Sequence, residues 1–299
     1  MQNQPDASDS PWTIIKIIQW ATAYLKSHDI DSPRATGEIL LAHALGTERI
    51  DLYLNFDQPL IADELKTFKT LIKRRISREP VAYILGAKEF WSLDLKVTGD
   101  VLIPRPETEC LVEAALELMS KDSSIQPQRI LDLGTGSGAI VIALASKQPR
   151  HVYFASDFCI PAAILAGGNA RRHDFSEKIH FFVSDWLTSL KPSGSGFDMI
   201  VSNPPYIPSG VIGKLQPEIH RYEPIAALNG DKDGLGCFRK IIDSAHNYLK
   251  PHAVLMLEIG HDQRDAVRRL AVDCGHYEDF QYVRDYSGYD RVVWMHKKS

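Results

Sequence analysis

Apolar residues recur at helical spacing through the first quarter of the chain. Trp12, Ile15, Ile18 and Leu25 share one helix face, and Leu65, Phe68, Leu71, Ile72 and Ile76 share another, in a helix that ends before Pro80. Ser10-Pro11 and Ser32-Pro33 each place a capping hydroxyl before a first-turn proline, and Gly46 stops the helix that Pro33 opens. Residues 11–80 therefore predict a small all-α helical bundle, preceded by a polar stretch, 1–10, that reads as a disordered tail. The pattern then changes. In 81–103, Tyr83, Ile84, Phe90, Trp91, Leu93, Leu95 and Val97 predict extended segments, a linker in the form of a β-hairpin. From 104 to 299, short apolar runs alternate with helical stretches. The runs are 129–133, 151–156, 179–183, 197–202, 253–259, 277–284 and 290–295, and the helices lie near 107–120, 138–147, 161–172, 234–249 and 262–273. Such alternation predicts an α/β domain, a mainly parallel sheet with helices on both faces. The last two strands have no helix between them and predict an antiparallel pair at the sheet edge.

Composition narrows the picture. At 299 residues with 44% hydrophobic and 24% charged residues, the chain is an ordinary globular protein of about two domains. Its net charge of -4 gives no basic footprint for nucleic acid, so no direct nucleic-acid binding is expected. Lys66, Lys69, Lys73, Arg74, Arg75 and Arg78 do crowd one helix, as a solvated face or as a docking surface. Cys110, Cys159, Cys237 and Cys274 are too scattered for a disulfide framework or a zinc motif, and the 11 histidines show no metal-binding spacing, so no metal is expected. Residues 1–10 lack both basic residues and an apolar run, and no stretch approaches the ~18 apolar residues of a membrane span. A cytoplasmic protein with no membrane partner is the expectation.

The chemistry concentrates in four places. Asn203-Pro204-Pro205-Tyr206 follows an apolar strand, where open α/β sheets place ligands. An amide or exocyclic amine nitrogen is a poor nucleophile until its hydrogens are held and its lone pair is aimed. The Asn203 side-chain carbonyl and the Pro204 main-chain carbonyl offer two acceptors for one NH2 group, and Tyr206 offers a flat face; the alternative is a proline-stiffened turn. The loop Gly134-Thr135-Gly136-Ser137-Gly138 runs from a strand into a helix and lets a ligand approach the backbone. It also fits a dinucleotide fingerprint through Gly134, Gly136 and Ala139. Asp157 ends the next strand, either to hold ribose hydroxyls or to cap the following helix. Asp185-Trp186 supplies an acceptor and an aromatic wall for an adenine, or core packing. Asp132, inside the first strand, holds the loop or reaches the ligand.

In this order the four places resemble an S-adenosylmethionine-dependent N-methyltransferase of the Rossmann-like, seven-stranded class I. The resemblance implies S-adenosylmethionine as cofactor, with Gly134 to Gly138, Asp157, Trp186 and Asn203 around it. Further segments narrow it: Arg78-Glu79-Pro80, Glu89-Phe90-Trp91, Ile103 to Glu109, Tyr222-Glu223-Pro224, Asp233-Gly234-Leu235, Leu257-Glu258-Ile259-Gly260 and Gly288 to Val293. Together they are similar to the release factor glutamine methyltransferases. That resemblance implies methylation of the glutamine amide in the Gly-Gly-Gln loop of class I peptide chain release factors. Asn203 and Pro204 would hold the amide, and Pro205 and Tyr206 would shape its slot. A ribosomal-protein glutamine methyltransferase shares the tetrapeptide, but Pro104-Arg105-Pro106-Glu107 departs from its Pro-Arg-Ser-Pro. A DNA amino-methyltransferase would need a basic groove, and a nucleotide sensor would have no use for an intact tetrapeptide. After Asp157 the chain departs from the family's polar stretch, and Gly167-Gly168 weakens the helix there.

Overall fold

The computed structural model describes residues 11–121, 126–192 and 196–299; the tail expected at 1–10 lies outside them. The chain divides into two compact units between Leu85 and Gly86.

The first unit is helical: α1 (Ile14–Lys26), α2 (Pro33–Leu45), α3 (Arg49–Leu54), α4 (Ala62–Ile76) and α5 (Val81–Leu85). Ile17, Leu25, Leu40, Leu41, Phe68 and Ile72 form its buried centre. The cap expected at Ser10 lies outside the described residues, and the one at Ser32 does not form. Helix α1 starts at Ile14, because residues just before it pair with the 56–60 segment, Ile14 N donating to Gln58 O at 3.0 Å. Ser32 adopts φ 47°, and its hydroxyl makes no capping bond. Gly46 does end α2, at φ 65°. Glu38 on α2 is buried and takes Arg34 Nε at 2.8 Å, Arg49 Nη2 at 2.6 Å and the Tyr53 hydroxyl at 2.6 Å. Despite burial, these partners bring its carboxyl down to about 2, and they tie α3 to α2.

Val81–Leu85, expected to be extended, is a helix. Pro80 opens it, its carbonyl accepting from Tyr83 N and Ile84 N. Arg74 reaches the carbonyls of Tyr83 and Ile84 at 3.4 and 3.3 Å, satisfying helix-end acceptors.

The second unit opens with the hairpin β1 (Ala87–Phe90) and β2 (Leu93–Lys96). Trp91 and Ser92 turn it with φ 54° and 59°, the positive pair of a tight hairpin turn. A short 3-10 turn, Pro106–Thr108, leads into α6 (Glu109–Lys121). There follow β3 (Arg129–Leu133), α7 (Ala139–Lys147), β4 (Val152–Asp157), α8 (Ile160–Arg172), β5 (Ile179–Val183) and β6 (Phe197–Ser202). After two short helices, α9 (Ser209–Ile212) and α10 (Pro217–Tyr222), come α11 (Gly236–Ala245), β7 (Leu249–Glu258), α12 (Arg264–Cys274), β8 (Tyr277–Arg284) and β9 (Asp290–Lys297).

The seven-stranded sheet has the order β5-β4-β3-β6-β7-β9-β8. The first five strands are parallel; β9 runs antiparallel to both of its neighbours. Alternation explains the two-sided core: Val254 and Met256 join α6 and α7 on one face, while Leu255 and Leu257 join α11 and α12 on the other. Chain order reverses between β3 and β6, so a crevice opens at their carboxyl ends.

Candidate active site

That crevice holds a cavity of about 410 Å³ lined by Gly134, Thr135, Gly136 and Ser137, by Asp157 and Trp186, and by Asn203. The backbone nitrogens of Gly134 and Thr135 both donate to Ser156 O at 2.9 Å, which pins the loop to β4. Gly136 has φ 56°, and a Cβ there would project into open space. Gly138 does not line the cavity. Its φ is 84°, and a Cβ would lie 2.9 Å from Ile142 Cδ1 and 3.2 Å from Ala166 Cβ, so its bareness lets α7 meet α8.

Asp157 sits at the helix start, the second of the two roles considered for it in sequence, and holds the glycine loop as well. Oδ2 accepts from Gly136 N at 2.8 Å and Oδ1 from Cys159 N at 2.9 Å, at the start of α8. A carboxylate has about four acceptor sites, so a lone pair on each oxygen remains for a ligand at the cavity wall. Trp186 likewise lines the cavity while packing on the α11–α12 side of the core. Asp132 is fully buried beneath the loop and accepts the Thr135 hydroxyl at 2.6 Å. Its contact is with the loop, not the cavity. Burial, then the charge of Asp157, pushes its carboxyl up to about 7.

Asn203, Pro204, Pro205 and Tyr206 line a second cavity of about 270 Å³, and Asn203 and Pro205 line the first as well. The tetrapeptide is thus a wall common to both. Asn203 Nδ2 donates to Thr108 Oγ1 at 3.1 Å, which leaves Oδ1 as the available acceptor of that amide. Gln263 Nε2 holds Tyr206 O at 3.0 Å and Gly234 O at 3.1 Å. Gly234 is bare of necessity, since a Cβ there would lie 2.5 Å from Tyr206 O. The Tyr206 hydroxyl donates to Glu258 Oε1 at 3.4 Å, and Arg105 pairs with buried Glu223 at 2.5 Å.

Sequence reading gave no role to Thr108, Glu258 or Gln263. Thr108 and Glu258 sit inside the segments that carry the family resemblance, which is the only signal that marks them; Gln263 has none. On the opposite side of the sheet unit, His246, Cys274 and His276 bring their ligand atoms within 4.8 Å of one another. The two imidazoles stack 3.8 Å apart with planes 11° from parallel. Lone pairs in parallel planes do not converge on one ion at the ~2.0 Å that imidazole coordination requires, so this arrangement is not a metal centre.

Residues 16–86 match the family described as the PrmC N-terminal domain, and residues 111–214 match the methyltransferase small domain. A release factor glutamine methyltransferase from Geobacter sulfurreducens is 41% identical over 94% of this chain and 96% of its own length. Its namesake from Salmonella typhimurium is 42% identical over 89% of this chain and 92% of its own. Among solved structures, the hMettl16 catalytic domain shares the fold, with a TM-score of 0.56 at 15% identity, over 74% of this chain and 80% of that one.

Proposed function

Since this chain belongs to the release factor glutamine methyltransferases, we propose that its two cavities divide the reaction, S-adenosylmethionine in the larger and the glutamine side chain in the smaller. The protein is an enzyme, a protein-glutamine methyltransferase acting on release factors. The observation that carries the division of labour is the shared wall: Asn203 and Pro205 face both cavities, so a group held by Asn203 borders the cofactor.

The larger cavity fits the cofactor in chemistry as well as size. The loop at Gly136 offers bare backbone, Asp157 retains acceptor capacity for ribose hydroxyls, and Trp186 presents an aromatic wall to an adenine. When bound, S-adenosylmethionine supplies an electrophilic methyl group on sulfur. The chain's own contribution is positioning. Asn203 Oδ1 and Pro204 O accept the two amide hydrogens, which aims the nitrogen, and the rigid Pro204-Pro205 backbone keeps the acceptors from relaxing. Burial in the smaller cavity removes water from competition for those acceptors.

The substrate on this reading is the glutamine of the Gly-Gly-Gln loop in class I peptide chain release factors, reached in the cytoplasm. Among the described residues no helix is long and apolar enough to cross a membrane. The test is mass spectrometry of an unmethylated class I release factor incubated with the protein and S-adenosylmethionine. A single methyl group on that glutamine is expected, and methylation elsewhere or nowhere refutes the reading. Asn203→Ala should bind cofactor almost normally yet lose about 100- to 1,000-fold in rate, as for removal of one preorganised polar contact. Near-wild-type turnover would remove Asn203 from the mechanism.

A further inference from the structure

Gln263 is the residue that opens α12, is 9% exposed, and lines neither of the two cavities. Its side chain makes no capping bond to its own helix. It turns back instead. Oε1 accepts from Gly260 N at 2.9 Å, while Nε2 donates to Tyr206 O at 3.0 Å and to Gly234 O at 3.1 Å. Both N–H groups and the carbonyl of the amide are therefore engaged, each with backbone from a different segment. The three segments are the exit of the tetrapeptide, the loop that ends at Gly234 and the turn that follows β7. They meet because they are bare: a Cβ at Gly260 would lie 2.9 Å from Gln263 Oε1, and one at Gly230 would lie 2.8 Å from Tyr206 C.

We infer that Gln263 is a positioning residue for methyl transfer, which holds the exit of the Asn203 to Tyr206 tetrapeptide and with it the shape of the glutamine slot. The inference rests on the smaller cavity being that slot.

The peptide unit between Tyr206 and Ile207 is fixed at both of its polar ends. Its carbonyl is held by Gln263, and its N–H donates to Leu228 O at 3.0 Å. Gly230 N then donates to Ile207 O at 2.9 Å, so the 228–230 segment runs beside the exit of the tetrapeptide. At its other end the tetrapeptide is held by the bond from Asn203 Nδ2 to Thr108 Oγ1.

Tyr206, Ile207 and Leu228 line the smaller cavity, and none of them lines the larger one. Gln263 thus bears on the slot and leaves the cofactor's walls alone. A buried carbonyl that loses its donor keeps its demand for one, so without Gln263 the Tyr206 carbonyl turns away to find a partner and takes the slot wall with it. A misplacement of about 1 Å at a reacting centre costs about 100-fold in rate. Slack at Tyr206 therefore reaches the chemistry, although Gln263 itself touches no substrate. A role confined to stability predicts the opposite, a folded variant with unchanged kcat.

The experiment measures kcat and KM for an unmethylated class I release factor, and cofactor affinity by calorimetry, on the full chain well below its melting temperature. Gln263→Met removes both donors without adding a charge. It should lower kcat about 10- to 100-fold and raise KM, with cofactor affinity within about twofold of wild type. Gly260→Ala leaves every hydrogen-bonding group in place and presses on Gln263 Oε1, so it should show the same split with kcat lowered about threefold or more. Should Gln263→Met not fold, Gly260→Ala decides alone. Wild-type kcat and KM in a folded variant, or a loss of cofactor affinity as large as the loss in kcat, overturns the inference while leaving the proposed reaction intact. A wild-type protein that binds cofactor but methylates no release factor overturns both.

Discussion

Asp132 is a carboxyl group at the centre of a sheet with no exposure to solvent, and only one of its oxygens is hydrogen-bonded. Its raised value of about 7 means that folding favours its protonated form. That contribution is complete below the ordinary carboxylate range and is lost as pH rises through about 7. Asp132→Asn keeps an acceptor for the Thr135 hydroxyl and removes the titration. Urea unfolding should show the variant gaining on wild type as pH rises from the acid range to above neutral. A difference that stays constant with pH would mean that folding leaves the Asp132 carboxyl unshifted. Asp157 illustrates how far a residue type can be read without its neighbours: a carboxylate at a strand end was compatible with ribose binding or with capping. Only the positions of Gly136 N and Cys159 N show that its two oxygens span the loop and the helix start at once.

At the scale of elements, α8 sets two glycine substitutions against each other. The helix runs unbroken through Gly167 and Gly168, and a Cβ at Gly168 would meet nothing within 4 Å. Gly168→Ala should therefore stabilise the protein by roughly 0.5–1 kcal/mol, through helix propensity alone. Gly138→Ala, one contact away against Ala166, should destabilise by at least the roughly 1–2 kcal/mol of a left-handed alanine, with overpacking added. Equal thermal shifts of one sign would contradict the contrast. Elements were legible where periodicity had room to act. The strands at 129–133, 179–183 and 197–202 coincide with β3, β5 and β6, because each carries apolar residues to two covered faces. Helix α5 was not legible, since Val-Ala-Tyr-Ile-Leu is β-favouring and too short for a helical period. Pro80 before it and Arg74 across it decide its state, and Arg74 is a tertiary contact.

Across the whole molecule, the basic run of α4 proves to be two populations. Arg74 pairs with Glu79 at 2.6 Å and Arg75 is buried, so both belong to the helical unit's own structure. Lys66, Lys69 and Lys73 are exposed at spacings of three and four, along one side of the helix. With a net charge of -4 and two of the six basic residues, Arg74 and Arg75, held within the helical unit, the solvated face of the two sequence readings is the one to test. Replacing all three by alanine should leave KM for a full-length release factor within about twofold, an effect too small for the loss of a docking contact. A rise in KM of tenfold or more, at unchanged kcat, would make that face a binding surface instead.

The sequence by itself determined the two-part organisation of helices followed by alternating strands and helices, the antiparallel pair at the sheet edge, and the tetrapeptide Asn203 to Tyr206. Each is a local property: a repeat in hydrophobicity, or chemistry carried by adjacent residues. The tertiary structure alone decided what surrounds that tetrapeptide. Thr108 comes from the turn before α6, Glu258 from the end of β7 and Gln263 from the start of α12, and the parallel crossovers bring all three to one end of the sheet. It likewise assigned Gly138 to helix packing and withdrew the Ser32 cap. Hydrogen-bond partners and backbone angles are fixed by where the chain returns, and no spacing along it encodes that return.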